Sequence, residues 1–420
     1  MPTSARPPAR DVVVVGGGIV GLAVAWRAAA AGLTVTVLDP APGDGASRAA
    51  AGMLAAVNEA DFGERDLARL NLAAAARWPS FAAGLAAASG RDVPLLRAGS
   101  LAVAYDADDL ALLRRALALH RAWGLASEEI SAADARRREP YLGPRLAGAA
   151  VVEGDLAVDP RGAHAALVAA LDVARGAPLG APLDGAAGGT VVRQGAVRLE
   201  RSPTGRVVAV HDDAGTRHAA GAVVLATGAT ATGALLDGLP QVRLPVRPVK
   251  GITLRLDAGP GLALEHVVRG TVQGRPVYVV PRAAGTGAGA GSGPNHREIV
   301  VGATTEERPD DRRAEAGGVF ALLRDARALV PGIDEAALVE VTPRARPVTP
   351  DNLPLVGPTA APGLLAAVGH GRNGVLLAPL TADAVLAALT DLTDPTDPGP
   401  AAAALAATDP LRFATRGAPA

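Results

Sequence analysis

The sequence of 420 residues contains no cysteine, and this absence excludes several kinds of chemistry. Disulfides, zinc–thiolate sites, iron–sulfur clusters, a catalytic thiol and any cofactor attached through a cysteine all require that residue. Aromatic residues make up only 2% of the chain, and Lys250 is its only lysine, so arginine carries nearly all of the positive charge. We attribute this bias to genomic composition, which says little about function.

Excess charge and long apolar runs are also scarce. The net charge is −1 and there is no long basic run, so nucleic acid and anionic membranes are poor partners. No apolar run reaches the ~20 residues of a membrane-spanning helix. The first ten residues lack the apolar core of a signal peptide. We therefore expect a cytoplasmic protein.

Common catalytic motifs are missing as well. No serine lies in a G-x-S-x-G elbow, there is no P-loop lysine motif, and six of the seven histidines show no metal-ligand spacing. These absences argue against a hydrolase, an NTPase and a metal site. A chain of this length with 49% hydrophobic residues predicts two globular domains.

The most informative segment that is present is residues 11–39, which read DVVVVGGGIVGLAVAWRAAAAGLTVTVLD. The four consecutive valines Val12–Val15 predict a strand buried on both faces, as in a parallel sheet. A helix of small and apolar residues follows, and then a second buried strand that ends at Asp39. This strand–turn–helix–strand order is the context in which a G-x-G-x-x-G motif binds a dinucleotide.

Three glycines in the turn have separate roles in this motif. Gly16 allows the tight turn, Gly18 lets the backbone approach a pyrophosphate, and Gly21 lets helix and strand pack closely. The pyrophosphate lies at the helix N-terminus, and Asp39 accepts hydrogen bonds from the ribose. The motif by itself leaves NAD and FAD open, and a glycine turn without a ligand is the minor alternative.

Further strands predict how the rest of the chain is organised. The segments VVLATGA, which begins at Val223, and LLAAVGHGRNGVLLAP, which begins at Leu364, each place an apolar strand before a glycine turn. From Pro245 the pattern alternates, which is typical of an antiparallel sheet. We predict an α/β protein in which a discontinuous, Rossmann-like dinucleotide-binding domain is interleaved with an α+β, antiparallel-sheet substrate domain. The predicted bounds are 1–90, 155–235 and 345–392 for the first domain, 91–154 and 236–344 for the second, and 393–420 for a tail.

The polar residues near these turns are candidates for chemistry. Arg344 and Arg346 share one face if they lie on a strand, and two arginines near such turns can clamp a carboxylate. For these two and Arg372, surface or ion-pair roles are as probable from the residues alone. His370 could be an acid or base, but we favour a structural role. Tyr278 either faces the substrate site or packs in the sheet.

Several motifs together resemble the FAD-dependent, D-amino-acid-oxidase-like amine oxidoreductases, and within them the glycine oxidases of thiamine biosynthesis. The resemblance extends from Asp11 to about Leu389. Its most specific elements are AAGML at residues 50–54 of the segment ASRAAAGMLAA and GHGRNGVLLAP at residues 369–379. It implies that the bound dinucleotide is FAD, held without a covalent bond.

The resemblance also implies roles for individual residues. Arg346 matches the arginine that pairs with the substrate carboxylate, Arg372 also contacts substrate, and Tyr278 falls on an active-site tyrosine. Pro276 stands where some members have histidine, and Asp39 where many have glutamate. With the glycines of the first loop, the residues expected to contact FAD are Gly16, Gly18, Ile19, Val20, Gly21, Asp39, Pro40, Ala46, Ser47, Ala51, Gly52, Met53, Val197, His370, Gly371, Arg372, Asn373, Gly374, Val375 and Leu376.

The activity implied by the resemblance is the oxidative deamination of glycine, and of other small amines or D-amino acids, with oxygen as acceptor. The products are the imino or 2-oxo acid and hydrogen peroxide, and the imine supplies thiazole formation in thiamine biosynthesis. Alternatives are a sarcosine oxidase, a D-amino-acid dehydrogenase and a non-catalytic dinucleotide-binding protein. By the same resemblance we expect a homo-oligomer, a tetramer in many members.

Overall fold

The structure is a computed structural model that describes residues 10–176, 188–229, 232–282, 297–308, 311–390 and 405–414. Residues 283–295, which are rich in glycine and alanine, and most of the predicted tail lie outside the described residues.

The strands occur throughout the chain and are numbered here in chain order. They are β1 Arg10–Val15, β2 Thr34–Leu38, β3 Met53–Leu54, β4 Leu95–Leu96, β5 Ser100–Ala104, β6 Glu128–Ile130, β7 Gly148–Val152, β8 Leu156–Val158, β9 Gly188–Val192, β10 Ala196–Arg201, β11 Val207–Asp212, β12 Arg217–Leu225, β13 Arg247–Asp257, β14 Val267–Val272, β15 Arg275–Pro281, β16 Glu298–Gly302, β17 Ala337–Val348, β18 Leu355–Pro358 and β19 Leu364–Val368.

The helices are numbered in the same way. They are α1 Ile19–Ala30, α2 Ala46–Ala49, α3 Arg65–Ala75, α4 Trp78–Ser89, α5 Ala107–Trp123, α6 Ala132–Arg138, α7 Pro160–Gly176, α8 Thr232–Leu235, α9 Ala316–Leu329 and α10 Gly374–Thr390. Short 3-10 turns occupy Pro331–Glu335, Gly371–Asn373 and Pro410–Phe413.

The first sheet has a parallel core in the order β9-β2-β1-β12-β19. Val12 and Val14 belong to the apolar core with α1, α7 and α10, while Val13 and Val15 pack on the opposite side. A strand buried on both faces has to be apolar throughout, which explains the run of four valines. All five strands end at one edge, so the chain segments after Val15 and Leu38 lie side by side there.

The second sheet has the order β17-β13-β16-β15-β14-β5-β7-β6 and is antiparallel except for the β14–β5 pair. Ile252 and Leu254 of β13 pack against α9 on one face. The other face meets the first domain, where the Thr253 hydroxyl donates to the Ala49 carbonyl at 3.0 Å. The predicted fold class, a Rossmann-like domain with a second, mainly antiparallel domain, is confirmed.

The strands of the two sheets come from alternating segments of the chain, as an interleaved arrangement requires. One strand differs from the expected division: β17 belongs wholly to the second sheet and runs past residue 344, where we placed a boundary. Arg346 is consequently carried by the substrate-type sheet.

The expectation that no apolar run could span a membrane was wrong for one segment. The helical stretch Gly371–Thr390 is 20 residues long and sufficiently apolar by composition. However, 56% of its most apolar 18 residues are buried inside the structure, and α10 packs against α1, which is the position of a core helix.

Candidate active site

The first glycine loop is too closely packed for side chains at two positions. A Cβ atom added to Gly16, whose φ is +113°, would lie 2.2 Å from the carbonyl oxygen of Ala226. A Cβ atom on Gly21 would lie 2.0 Å from the Gly16 carbonyl oxygen. Neither neighbour can move, because both are backbone atoms. The loop therefore has the bare, tight form that brings backbone amides to a pyrophosphate.

The Gly17 peptide inside this loop is fixed on both sides. Its N–H donates to Oδ2 of Asp39 at 2.6 Å. Its carbonyl accepts from the Gly43 N–H at 3.0 Å and from Nε2 of His164 at 2.9 Å. His164 is a residue that sequence reasoning missed, since it lies 147 positions away on α7. It braces the loop that would hold the dinucleotide.

Two helices begin at the same place beside this loop. No acidic residue lies in the first turn of α1, so its positive N-terminal end is available to an anion. The hydroxyl of Ser47, in α2, accepts from the Ile19 N–H at 3.0 Å. Ser47 is thus within reach of the expected pyrophosphate position. The neighbouring predicted contacts are Val20 in α1, Pro40 directly after Asp39, and Ala46 at the start of α2.

The AAGML segment is held against the start of α7 by a buried arginine. Nη1 of Arg282 donates to the carbonyls of Ala51 at 2.6 Å and Val158 at 3.2 Å. A Cβ atom on Gly52, whose φ is +80°, would lie 2.0 Å from the Val158 carbonyl oxygen. Arg282, the arginine of the VVPR sequence, therefore positions Ala51, Gly52 and Met53, and sequence reasoning assigned it no role.

The predicted FAD contact Val197 lies outside the parallel core of the first sheet. Val197 is 53% exposed near the start of β10, which belongs to the antiparallel part of the first sheet. Val192 instead ends the parallel strand β9 beside Leu38, and its carbonyl accepts from the Asp39 N–H at 3.1 Å. Val192 is thus bonded directly to Asp39, whereas the FAD contact of Val197 stays a prediction.

The second glycine turn leads into α10. His370 is buried, its ring lies 3.0 Å from the Thr381 hydroxyl, and burial lowers its pKa to about 4. The ring is therefore neutral near pH 7 and bonded within the core, which favours the structural role. Gly371 and Asn373 form the 3-10 turn, and Gly374, Val375 and Leu376 begin α10.

Arg346 lies on the inner face of β17 with no acidic partner. Its Nη1 donates to the Thr304 carbonyl at 3.1 Å, and no carboxylate of the described residues lies within ion-pair distance. A Cβ atom on Gly251 of the neighbouring strand would lie 2.3 Å from Nη1. Glycine at this position lets the guanidinium group lie flat across β13.

Arg344 shares that face, as strand geometry predicts, but its charge is paired with a carboxylate. It donates to the Asp44 carbonyl through Nε at 2.6 Å and to the Asp44 carboxylate through Nη2 at 2.6 Å. Of the two arginines, only Arg346 has an uncompensated charge.

Tyr278 is oriented toward the same region. It pairs with Gly302 across β15 and β16, and a Cβ atom there would lie 2.3 Å from the phenol oxygen. Tyr278 packs against a buried apolar cluster that includes Ala51 of the first domain. Burial raises the pKa of Tyr278, so the phenol is protonated at neutral pH and can donate a hydrogen bond.

Arg372 is ion-paired to two carboxylates. Its Nε donates to Glu59 at 2.6 Å and its Nη2 to Glu64 at 2.7 Å. Glu59 also accepts from Nη1 of Arg269 at 2.6 Å. Burial would raise the pKa of Glu59, but Arg269 and Arg372 outweigh it and hold that pKa below its usual range. Glu59, Glu64 and Arg269 carry no motif, so sequence reasoning missed them.

The arrangement can be summarised by what each domain offers. One domain supplies a bare amide loop and two helix N-termini, and the other supplies a free guanidinium and a phenol. In the described part of the chain, no group of three or more His, Cys, Asp or Glu could hold a metal ion. The site is suited to a dinucleotide beside a small carboxylate.

Comparisons with known proteins agree with this geometry. Glycine oxidase of Geobacillus kaustophilus is 33% identical over 374 residues, which is 88% of this chain and 90% of the relative. The bifunctional protein ThiO/ThiG of Nostoc sp. is 32% identical over 381 residues, and the match covers 89% of this chain but only 51% of that longer protein. The crystal structure of the Geobacillus glycine oxidase superposes with a TM-score of 0.80 at 30% identity, covering 98% of this chain and 100% of the other.

The family model described as FAD dependent oxidoreductase (DAO) matches residues 11–388. This span includes the glycine loop, the AAGML segment and the start of α10, and the glycine cradle has the shape that the cofactor needs. The chain therefore belongs to the FAD-dependent oxidoreductase (DAO) family, and FAD is its cofactor.

Proposed function

We propose that this protein catalyses the FAD-dependent oxidative deamination of glycine and other small amino acids, with oxygen as acceptor. The observation that carries the proposal is Arg346, a guanidinium group without a carboxylate partner among the residues that the structure describes. It lies beside Tyr278 on the sheet face that is turned toward the first domain and its glycine loop. Glycine oxidases are among the proteins most similar to this chain. We further propose that the imine product is used for thiazole formation, as the ThiO/ThiG names of other relatives suggest.

Arg346 would bind the carboxylate of the amino acid. The planar guanidinium can donate two parallel hydrogen bonds to a carboxylate, and such charge-assisted pairs are the strong ones. Its single bond to the Thr304 carbonyl fixes the group while leaving other donors free. Tyr278 would donate a further hydrogen bond as a neutral phenol.

The residues that would hold FAD follow from the cradle. The Gly18 amide and the Ser47 hydroxyl, which accepts from the Ile19 N–H, would contact the pyrophosphate, and Asp39 would contact the ribose. When bound, FAD supplies the two-electron oxidation of the amine to an imine and returns the electrons to oxygen as hydrogen peroxide. The chain's own residues contribute binding and orientation.

Proton transfer in the site needs no protein base if the amine binds in its neutral form. Glu59 has both carboxylate oxygens bonded to arginines, and the His370 ring is bonded to Thr381 in the core. Neither is placed to accept a proton from a substrate. We therefore expect the rate to follow the deprotonation of the substrate amine as the pH rises.

The test uses the purified protein loaded with FAD. Anaerobic addition of glycine should bleach the yellow flavin, and air should restore the colour with release of hydrogen peroxide. R346A should raise the Michaelis constant for glycine strongly, and R346K should recover only part of the loss because lysine is not bidentate. A yellow protein that no small amino acid bleaches would be a dinucleotide-binding protein instead.

Two further properties are part of the proposal. We infer a homo-oligomer, a tetramer by the family resemblance, and a cytoplasmic location that suits a biosynthetic enzyme. Size-exclusion chromatography with light scattering measures the first property, and cell fractionation measures the second.

A further inference from the structure

We propose that Glu59 is a specificity-determining residue that restricts the site to substrates with a single carboxylate. It would do so by neutralising Arg269 and Arg372, which otherwise could bind a second acidic group. The inference rests on the proposed function, since it concerns which amino acids enter that site.

Glu59 joins the two domains at the substrate region. Its Oε1 accepts from Nη1 of Arg269, on β14 of the second sheet, at 2.6 Å. Its Oε2 accepts from Nε of Arg372, just before α10, at 2.6 Å. The Glu59 side chain is only 10% exposed, so water screens these pairs poorly. Both guanidinium groups are therefore held to one carboxylate.

These groups lie close to the expected substrate. Arg269 is the direct register partner of Tyr278 across β14 and β15. The charges of Arg346, Arg269 and Glu59 all act on the Tyr278 phenol. An amino acid held by Arg346 next to this phenol would therefore feel the charge of Glu59 as well.

A count of charges in direct contact explains the selectivity. The three guanidinium groups of Arg269, Arg346 and Arg372 face two carboxylates, Glu59 and Glu64. One positive charge is left, and it belongs to Arg346. This charge matches one substrate carboxylate, whereas a second carboxylate would find no free arginine and would be repelled by Glu59. Asp155, a further carboxylate near Arg269, is left out of this count because it accepts hydrogen bonds from Asn58 and Ser100 instead.

Replacing Glu59 with glutamine tests this account with little change of size. E59Q leaves Arg269 without its carboxylate partner and raises the charge of the group by one. E64Q makes the same charge change in the same cluster. However, Glu64 contacts Arg372 and Asn352, whereas Glu59 contacts Arg269, the register partner of Tyr278. E64Q is therefore the matched control.

The first measurement does not depend on turnover. Acetate and malonate, which carry one and two carboxylates and are not amines, are titrated into FAD-loaded wild type, E59Q and E64Q, and the flavin absorbance is followed. We expect E59Q to raise the affinity for malonate relative to acetate about tenfold or more, as one unit charge within several Å would do at an effective dielectric constant of ~20. E64Q should change this ratio much less. An unchanged ratio in E59Q, or an equal change in both variants, overturns the proposal.

The second measurement uses turnover with glycine and iminodiacetate, and E59Q should shift kcat/KM toward the dicarboxylate. R269Q should lower the malonate-to-acetate ratio, because it leaves the Glu59 charge less compensated; a rise or no change contradicts the account. R269Q also gives a readout if E59Q does not fold. If wild type oxidises no amino acid but the anion titrations behave as expected, the proposed function fails and the assignment of Glu59 stands.

Discussion

Arg346 can be displaced without removing its charge, because a glycine lies beneath it. An added methyl group at Gly251 would come within 2.3 Å of Nη1, 2.6 Å of Nη2 and 2.7 Å of Cζ of Arg346. The guanidinium is the mobile end of a long side chain, so it should move while the strand keeps its place. G251A therefore tests the position of the clamp separately from its charge.

The expected effect follows from the bond that would be lost. A hydrogen bond between charged groups contributes about 1.5–3 kcal/mol, which corresponds to roughly a 10–150-fold rise in the Michaelis constant for glycine. The FAD content and the unfolding temperature should change little, since the three atoms nearest to the added methyl group all belong to the Arg346 guanidinium. The assay is steady-state peroxide release, together with thermal unfolding of the same preparation.

G317A serves as the control, because nothing lies within 4 Å of a Cβ atom added at that position of α9. It should leave the Michaelis constant unchanged. If G251A binds glycine as tightly as wild type, Arg346 does not bind the substrate carboxylate from this position. If G251A unfolds at a much lower temperature, the strand rather than the side chain has moved.

Three other predictions concern residues around the cofactor. H164A should raise the dissociation constant of FAD about fivefold, since the Gly17 carbonyl loses one neutral hydrogen bond. Fluorescence titration of the apoprotein measures this constant, and an unchanged value would show that the His164 bond does not support FAD binding. Burial lowers the pKa of His370 to about 4, whereas an unfolded histidine has a pKa of ~6.5. The free energy of unfolding is therefore highest above pH ~6.5 and falls by about 3 kcal/mol as the pH drops to 4. H370Q should weaken this pH dependence in urea unfolding, and an equal dependence in both proteins refutes the assignment. R282A should destabilise the protein by about 1–3 kcal/mol, because it leaves the Ala51 carbonyl without its donor and removes one of the two arginines that pair with the buried Glu298, whereas R282K should recover part of this loss; equal urea midpoints for R282A and wild type would contradict this role.

Local sequence patterns were sufficient for most of the secondary structure. The strand of Val12–Val15, the helix that follows it and the apolar strands before the later glycine turns are present as expected. Each depends on interactions within a few residues of the chain, such as hydrophobic periodicity and glycine conformation. The FAD contact of Val197 stays a prediction, since β10 pairs only with β11 in the antiparallel part of the first sheet, whereas β9 pairs with β2 in its parallel core.

The sequence by itself determined the cofactor's cradle, because a glycine loop between a strand and a helix is recognisable from consecutive residues. It also supplied Arg346, although not the reason for choosing it over Arg344. Only the tertiary structure decided which arginines are free. Arg344 meets Asp44 across 300 positions, and Arg372 meets Glu59 across 313, through the contact of two domains. Long side chains find their partners by spatial proximity, and no local pattern records which carboxylate a distant strand will bring to them.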